Sequence, residues 1–436
     1  MSRYLFTMID AGGNVPPELS VACGLAERGH EITILGDPTI AEEADAIGAR
    51  FLIWQEARRR VSRRREDDLI RDYELRTPAQ QVGLMREMLF GWAPGYAADT
   101  ARALRSERYD ALVSCFFVVG SQIAAEAHGL PHAVLVPNLW GEPRTGLPPF
   151  GPGLQPARGP LGRGRDALMT RFAERLWNKA LPELNALRRA HGLAPVSGPF
   201  QQFHRAHRLL VLSSEAFDFP AHNMPANLRY TGPMLDDPTW TQPWAAPAGD
   251  DPIVLVGLST TFQDHERTLQ RIVDALGALP VRGVVTTGPA IDPHSVRAPG
   301  NVQVVASAPH AALLREAAVV VTHAGHGTVM KALAAGVPMV CLPMGRDQND
   351  NAARVVAHGA GLRLRRNATP ASIARAVRRL IAEPPFAESA KRLGDAIRAD
   401  AERGAAVQEL EELTRAPSRQ VRPRAAGETS RTARIG

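Results

Sequence analysis

Short apolar runs alternate with amphipathic stretches along most of the chain. The apolar run 4–9 is followed by a Gly-containing turn, and apolar positions then recur every three or four residues over 16–28. Gly29 ends that helix, and 31–35 is the next apolar run. A strand, a helix and a second strand form a βαβ unit, so the pattern predicts a parallel sheet wound with helices.

The same alternation continues through both halves of the chain. Further strands are predicted at 111–119, 132–136, 208–213, 252–257, 283–287, 302–305 and 318–322. The Pro- and Gly-rich stretch 141–164 is predicted to be a long loop, and one helical pattern follows from Arg165 to Ala190. The predicted fold class is therefore α/β, with two doubly wound Rossmann-like domains facing across a cleft in which ligands bind.

The domain boundaries follow from changes in composition. We assign 1–232 to the N-terminal domain, 233–250 to a Pro-rich interdomain linker, 251–414 to the C-terminal domain and 415–436 to a basic tail. The tail contains six Arg and one Glu and lacks apolar periodicity, so we expect it to be disordered. Because it carries nearly all of the formal net charge of +6, the charge does not argue for a nucleic-acid partner.

Composition excludes several other classes of protein. The three cysteines are too few for a disulfide framework, which favours a reducing, cytoplasmic setting. No apolar run approaches the roughly 18 to 20 residues that cross a bilayer, so we expect no membrane partner. There is no GxxxxGK[ST] loop, and no GxGxxG follows the first strand, which disfavours a P-loop NTPase and a standard dinucleotide enzyme. The assembly state is left open, with a homodimer as one possibility.

The stretch 319–351 carries the clearest chemistry. A buried strand runs into a glycine-rich turn and then a helix, whose free amide N–H groups and positive dipole end can hold an anion. Gly325 and Gly327 allow close approach of the backbone, while Thr328 and His323 can donate hydrogen bonds. A glycine here indicates by itself only a tight turn, but the whole pattern predicts an anion site suited to a pyrophosphate.

A family resemblance extends this interpretation. The motif His323-x-Gly-x-Gly-Thr, followed by Gly336-Val-Pro and Asp347-Gln348-x-x-Asn351, resembles the nucleotide-sugar signature of family 1 glycosyltransferases with the GT-B fold. The sequence is most similar to bacterial natural-product members of the macrolide and enediyne type. The resemblance implies an inverting, metal-independent hexosyltransferase that moves a sugar from a dTDP- or UDP-sugar to a small-molecule natural-product acceptor. It implies no cofactor besides that co-substrate.

The resemblance also implies roles for individual residues in the donor site. Lys331 departs from the plant-type pattern, which has a ribose-binding Glu at this position. We interpret Lys331 as a solvated helix residue that is compatible with a dTDP donor. The implied donor residues are His323, Gly325, Gly327, Thr328 and Thr260 for the diphosphate, Ser307 and Ala308 for the nucleoside, and Asp347 and Gln348 for the sugar, with no metal ligand.

The catalytic dyad of the family is missing. Asn14 occupies the position of the usual catalytic His, and its carboxylate partner falls on Cys115 or Ser114. A positioned general base is worth roughly 10² to 10⁴ in rate, so either another residue replaces it or the acceptor does not need it. Asn14 and Asp10 are the catalytic candidates, with Glu142 and His132 as further substitutes for the base.

Each catalytic candidate also has a structural interpretation. Asn14 is equally suited to cap the helix that follows it, and Asp10 to accept hydrogen bonds from the turn. Our hypothesis is that the acceptor reacts without deprotonation, as an amine or an acidic hydroxyl does. Two alternatives remain open, namely an auxiliary partner protein of another glycosyltransferase and a GT-B sugar-nucleotide epimerase.

The acceptor side is less informative. In the family, the region of the Arg-rich block 58–65 and the loop 146–164 cover the acceptor, but we interpret the block itself as a solvated segment. Residues at helical spacing are as typical of a core as of a pocket. The candidate acceptor-pocket residues are Met85, Met88, Phe90, Trp92 and Glu142.

Overall fold

The first half of the chain folds as a parallel sheet flanked by helices. The computed structural model describes residues 1–75, 77–144, 146–221, 223–237 and 245–415. The elements of this half are β1 (Arg3–Thr7), α1 (Val15–Glu27), β2 (Glu31–Gly36), α2 (Ala41–Ala46), β3 (Arg50–Ile53), α3 (Pro78–Arg86), α4 (Ala93–Ser106), β4 (Ala111–Cys115), α5 (Val119–Ala127), β5 (His132–Val136), α6 (Pro160–Trp177), α7 (Leu181–Ala190), α8 (Gln201–His204), β6 (Arg208–Val211) and β7 (Leu228–Tyr230). The strand order is β3-β2-β1-β4-β5-β6-β7.

The second half repeats this architecture with six strands in the described residues. Its elements are β8 (Ile253–Gly257), α9 (Glu266–Gly277), β9 (Arg282–Thr286), β10 (Val302–Val305), α10 (His310–Glu316), β11 (Ala317–Thr322), α11 (His326–Ala334), β12 (Met339–Cys341), α12 (Gln348–Ala357), β13 (Gly361–Arg363), α13 (Pro370–Ala382), α14 (Pro384–Glu402) and α15 (Ala405–Arg415). The strand order is β10-β9-β8-β11-β12-β13. The predicted pair of doubly wound sheets is confirmed.

Differences in burial and length explain which strands were predicted from the pattern of apolar residues. β4, β5 and β8 are buried along their whole length, as expected for a parallel sheet covered on both faces. Such strands appear in the sequence as continuous apolar runs, so they were predicted. The short strands β3, β7, β12 and β13 were not predicted, because three or four residues carry too little periodicity.

Three predicted boundaries differ from the structure. The strand predicted at 111–119 ends at Cys115, where a turn leads into α5. The single helix predicted over 165–190 is two helices, since a 3-10 turn at Asn178–Ala180 separates α6 from α7. The predicted loop 141–164 also ends early, because α6 begins at Pro160, whose fixed φ suits the first turn of a helix.

The last helix returns to the first half of the molecule. Leu410 of α15 is fully buried in the cluster that contains Tyr4 and Phe6 of β1. The hydroxyl of Tyr4 donates to the backbone oxygen of Leu410 at 3.0 Å. The predicted domain division places α15 in the C-terminal domain, and that division stays a prediction. Part of the predicted linker (238–244) and residues 416–436 of the predicted tail lie outside the described residues.

The carboxyl ends of the central strands of the two sheets face each other. The turn after β1 contacts the turn after β8, and a Cβ atom added at Gly12 would lie 2.5 Å from Cγ2 of Thr261. Gly12 also has a φ of +95°, which only glycine adopts readily. This contact brings the two strand ends that flank the cleft together. Among the described residues, no helix is long and apolar enough to cross a membrane.

We predict that Leu410→Ala destabilises the fold by about 2–5 kcal/mol, because it leaves a cavity between α15 and the first sheet. Glu412→Ala on the same helix removes a largely exposed side chain and should change stability by no more than about 0.5 kcal/mol. Urea unfolding followed by tryptophan fluorescence measures both values. If the two substitutions changed stability equally, the packing of Leu410 would not stabilise the contact between α15 and the first half of the molecule.

Candidate donor and catalytic site

The start of α11 presents unpaired backbone donors. Gly325 is the N-cap residue, and no side chain caps the helix there. Val329 N donates to Gly325 O at 3.0 Å, so the amides of the first turn before Val329 have no acceptor within the helix. Gly327 is exposed, and a Cβ atom on it would meet nothing within 4 Å. Together with the positive end of the helix dipole, these amides could hold an anion, and the anion site stays a prediction.

His323 lies at the end of β11 beside this helix start. Burial lowers the pKa of its imidazole to about 3, and the positive charges of His265 and Arg346 act in the same direction. A Cβ atom on Gly325 would lie 2.6 Å from Nε2 of His323. Gly325 is therefore needed to make room for the His323 ring, a reason that the spacing of the motif did not reveal. His323 is neutral at ordinary pH and can donate only through an N–H group.

The remaining predicted donor residues lie on loops at the carboxyl edge of the second sheet. Thr260 is exposed in the loop after β8, next to the contact with Gly12. Ser307 and Ala308 lie in the loop between β10 and α10, where Ala308 is buried. The structure thus brings the predicted diphosphate and nucleoside residues to one edge of the sheet, but their roles stay predictions.

Asp347 and Gln348 begin α12. Burial raises the pKa of Asp347, whose Oδ2 accepts from Asn351 Nδ2 at 2.8 Å. Gln348 Oε1 accepts from Met344 N at 2.7 Å and from Gly345 N at 3.1 Å. The Gln348 amide therefore shapes the loop before α12, in addition to the role in sugar binding that the resemblance implies.

The turn after β1 holds the first catalytic candidate. Asn14 occupies the N-cap position of α1, but its side chain does not cap the helix, so the capping interpretation is wrong. Its Nδ2 donates to Ile9 O at 2.9 Å, and its Oδ1 accepts from Ala11 N at 3.0 Å. Nδ2 also lies 3.8 Å from Sγ of Cys115, one of the two positions at which the resemblance places the dyad's carboxylate.

Glu18 completes this cluster and was not among the sequence-based candidates. It is fully buried in the first turn of α1, where its Oε1 lies 3.5 Å from Asn14 Nδ2 and its Oε2 has no hydrogen-bond partner among the described residues. Burial raises the pKa of Glu18 to about 8. A Glu four residues after Asn14 shares its helix face, which was the available sequence indication.

Asp10 anchors the Arg-rich segment. Its carboxylate accepts from Arg60 Nη1 at 3.4 Å, from Arg63 Nε at 3.3 Å and from Gly12 N at 3.0 Å. Arg60 is only 4% exposed, so the interpretation of 58–65 as a solvated block is wrong for this residue, although most of the segment is exposed. Because its oxygens already accept from N–H groups, Asp10 is better suited to holding this segment than to accepting a proton.

Comparison with known proteins points to one class. Residues 270–413 match the family model for the C-terminal domain of erythromycin biosynthesis protein CIII-like proteins. The chain is 29% identical over 402 residues to 4'-demethylrebeccamycin synthase of Lentzea aerocolonigenes, covering 90% of this chain and 95% of that relative. This chain is a glycosyltransferase of natural-product type. It is also 32% identical over 223 residues, half of each chain, to a PGL/p-HBAD biosynthesis glycosyltransferase of Mycobacterium tuberculosis.

Solved structures establish the fold of this glycosyltransferase as GT-B. The calicheamicin glycosyltransferase CalG4 superposes with a TM-score of 0.75 at 23% identity, covering 97% of this chain and 100% of that one. The glycosyltransferase VinC, solved with dTDP, gives a TM-score of 0.66 at 22% identity, covering 95% and 99% of the two chains. The predicted fold is confirmed. The names of these relatives favour the transferase over the auxiliary protein and the epimerase.

The two further candidates for the catalytic base of this glycosyltransferase, His132 and Glu142, lie in different parts of the structure. His132 begins β5 at the amino edge of the first sheet, away from the cleft, and burial lowers its pKa to about 4. His132 is therefore wrong as a catalytic candidate. Glu142 accepts from Trp140 Nε1 at 3.0 Å and lines a small cavity with Phe150 and Asp350.

The candidate acceptor residues lie mainly in packed clusters. Met88 and Trp92 are 1% and 6% exposed and pack with core residues of β1 and β4, with Met85 against the same cluster. Phe90 is 3% exposed and packs in a second cluster with residues of β5 and β6. Their assignment to an acceptor pocket stays a prediction.

Lys331 is not a solvated residue, and that interpretation is wrong. Its Nζ donates to Asp236 O at 2.6 Å and to Asp237 Oδ1 at 2.8 Å. The lysine therefore fastens the described start of the predicted linker to α11. Groups of three or more side chains that could hold a metal ion do not occur among the described residues.

We predict that Glu18→Gln removes a pH-dependent loss of stability. The folded pKa of about 8 exceeds the ordinary value of 4.5, so the folded state holds an extra proton between them. Wild-type stability therefore falls as pH rises through this window, by up to about 1.4 kcal/mol per pH unit from this group. Urea unfolding at pH 5, 7 and 9 should show the variant gaining stability relative to the wild type as pH rises.

The matched control is Glu27→Gln, an exposed position on the same helix. Its stability difference from the wild type should stay nearly constant across these pH values. A constant difference for Glu18→Gln as well would mean that Glu18 titrates normally in the folded protein.

Proposed function

We propose that this glycosyltransferase is an inverting, metal-independent enzyme that moves a sugar from a dTDP- or UDP-sugar to a small-molecule natural-product acceptor. The observation that carries the proposal is the uncapped amino end of α11, with neutral His323 beside it. Backbone N–H groups fixed at a helix start favour a diphosphate over a neutral ligand. VinC was solved with dTDP and the spinosyn rhamnosyltransferase SpnG with thymidine diphosphate, which supports a nucleotide donor for this chain.

The proposed reaction is a single in-line displacement. The acceptor nucleophile forms a bond to the anomeric carbon while the bond from that carbon to the diphosphate oxygen breaks, and the electron pair moves onto that oxygen. The acceptor's proton passes to water, before the attack for an acidic hydroxyl and after it for an amine. The amides of Gly327 and Thr328 then stabilise the added negative charge, because they are fixed before the reaction begins. One displacement inverts the anomeric configuration.

The acceptor class follows from the turn after β1. An amide is not a general base, and the Asn14 side chain is already hydrogen-bonded to the backbone at Ile9 and Ala11. An amine, or a hydroxyl acidic enough to ionise in water, needs no such base. We therefore propose an acceptor of one of these two kinds. A cytoplasmic location agrees with Cys23, Cys115 and Cys341 being free.

We predict that Gly327→Pro lowers kcat/KM for the donor by about tenfold to a hundredfold. Proline removes one N–H group but is tolerated in the first turn of a helix. Gly327→Ala keeps the N–H group, and its Cβ meets no protein atom within 4 Å, so it should retain more activity than Gly327→Pro. Release of dTDP or UDP from the α-linked sugar donor measures the rate, in the presence and absence of EDTA.

The anomeric configuration of the product, measured by NMR, tests the displacement. An α-linked donor should give a β-linked product, and EDTA should not reduce the rate. Retention of configuration would exclude the single displacement. If the two Gly327 variants were equally active, the N–H group of residue 327 would have no role in the reaction.

We predict that restoring the dyad by Asn14→His with Cys115→Asp broadens acceptor use toward ordinary alcohols. The two positions are adjacent, so the introduced pair can form a base worth about 10² or more in rate with such acceptors. Initial rates with matched amine and aliphatic alcohol acceptors measure the preference. Cys115→Asp alone is the control, and an unchanged preference in the double variant would contradict the amine or acidic-hydroxyl proposal.

A further inference from the structure

Arg346 is a cation at the mouth of the proposed donor site. It lies in the loop between β12 and α12, directly before Asp347, with a φ of 54° that is uncommon for a residue other than glycine. Its Nη1 donates to Thr261 Oγ1 at 3.1 Å. Thr261 follows Thr260, the residue assigned to the diphosphate, so the guanidinium reaches the loop that borders the anion site.

The opposite half of the molecule supplies the counter-ion. Nε and Nη2 of Arg346 donate to the two carboxylate oxygens of Asp72, each at 3.0 Å. This bidentate geometry fixes the plane of the guanidinium. The ion pair spans the two halves and holds the Arg346 side chain in a defined position beside Thr261.

The segment 65–73, which we call the strap, makes further contacts with the same loop. The guanidinium carbon of Arg65 lies 3.8 Å from the ring centre of Phe262. Tyr73 packs edge-on against that ring at 5.1 Å. The strap therefore covers the Thr261–Phe262 side of the donor site and brings Asp72 to Arg346.

Charge shows what Arg346 can contribute. The leaving diphosphate gains negative charge, while the helix start supplies only partial charges and His323 is neutral. The positive charge of Arg346 is close enough to help lower the pKa of His323. A guanidinium has five N–H groups, and three of those on Arg346 make the hydrogen bonds described above. Two N–H groups therefore remain for phosphate oxygens.

We propose that Arg346 binds the donor diphosphate and neutralises the charge that develops on it as it leaves, with Asp72 as the positioning residue. This inference rests on the proposed function and adds a guanidinium, whose charge Asp72 offsets in part, to a site otherwise made of backbone amides and a neutral imidazole. The bonds that form and break are those of the single displacement, and Arg346 neither gains nor loses a proton.

The first test measures binding of dTDP, UDP and dTMP by calorimetry. Arg346→Gln should weaken binding of the preferred diphosphate at least tenfold, with a smaller effect on the monophosphate. Arg346→Lys keeps the positive charge but lacks the planar guanidinium group. Its affinity for the diphosphate should lie between those of Arg346→Gln and the wild type. Wild-type diphosphate affinity and turnover in Arg346→Gln would overturn the inference, and circular dichroism verifies that each variant is folded.

Two matched variants separate this role from a structural one. Arg354 of α12 also pairs with the first half, through Asp218 at 2.6 Å, and Arg354→Gln should change diphosphate affinity less than threefold. Asp72→Asn keeps the cation and should lower kcat while the Kd for the diphosphate stays within threefold or improves. If Arg346→Gln, Arg354→Gln and Asp72→Asn all weaken diphosphate binding equally, the two ion pairs affect binding only by stabilising the fold.

The outcome also distinguishes this inference from the proposed function. If the wild-type protein binds neither dTDP nor UDP, the proposed function fails and the assignment of Arg346 fails with it. If the wild type binds one of them and Arg346→Gln binds it equally well, only the assignment of Arg346 fails.

Discussion

The free backbone N–H groups at the start of α11 are the constraint around which the donor site is organised. Neither a side-chain cap nor the helix itself supplies an acceptor for these amides. The strand before the helix fixes their place at the carboxyl edge of the second sheet. Gly325 makes room for His323, and Ala324 adopts a φ of 69° to turn the chain into the helix. The glycine at position 325 and the positive φ of Ala324 leave the start of α11 accessible to an anion.

A second constraint acts across the cleft, at the turn after β1. Asn14 lies there beside the thiol of Cys115 and the buried carboxyl group of Glu18. Glu18 is stable in this place only in its neutral form, because burial penalises the charged form more than its neighbours stabilise it. The cluster thus combines a hydrogen-bonded amide with a carboxyl group that keeps its proton at neutral pH.

Several contacts fix how the two halves face each other. Gly12 meets Thr261, Arg346 pairs with Asp72, and Arg354 pairs with Asp218. Partly buried ion pairs lose hydration and contribute little net stability, but breaking one partner leaves a charge without compensation. Loss of either partner is therefore expected to disturb the arrangement of the cleft. The burial of Leu410 adds apolar contact between α15 and the first sheet.

The features that could be predicted from the sequence are those that depend on local periodicity and spacing. Continuous apolar runs identified the fully buried strands, and the His323-to-Thr328 spacing identified the helix start that faces the cleft. These features are local because backbone geometry sets them within a few residues. Short strands such as β12 and β13 were missed for the same reason, since they are defined by their neighbours in the sheet.

Which charged groups are buried, and which residues they contact, depends on the tertiary fold. The arginines of 58–65 are indistinguishable in sequence, yet Arg60 is buried on Asp10 and Arg65 lies over Phe262. Lys331 meets Asp237, and Arg346 meets Asp72 from 274 positions away. A charged residue carries no local mark of its partner, because the energy of burying it depends on what the rest of the fold brings to that place.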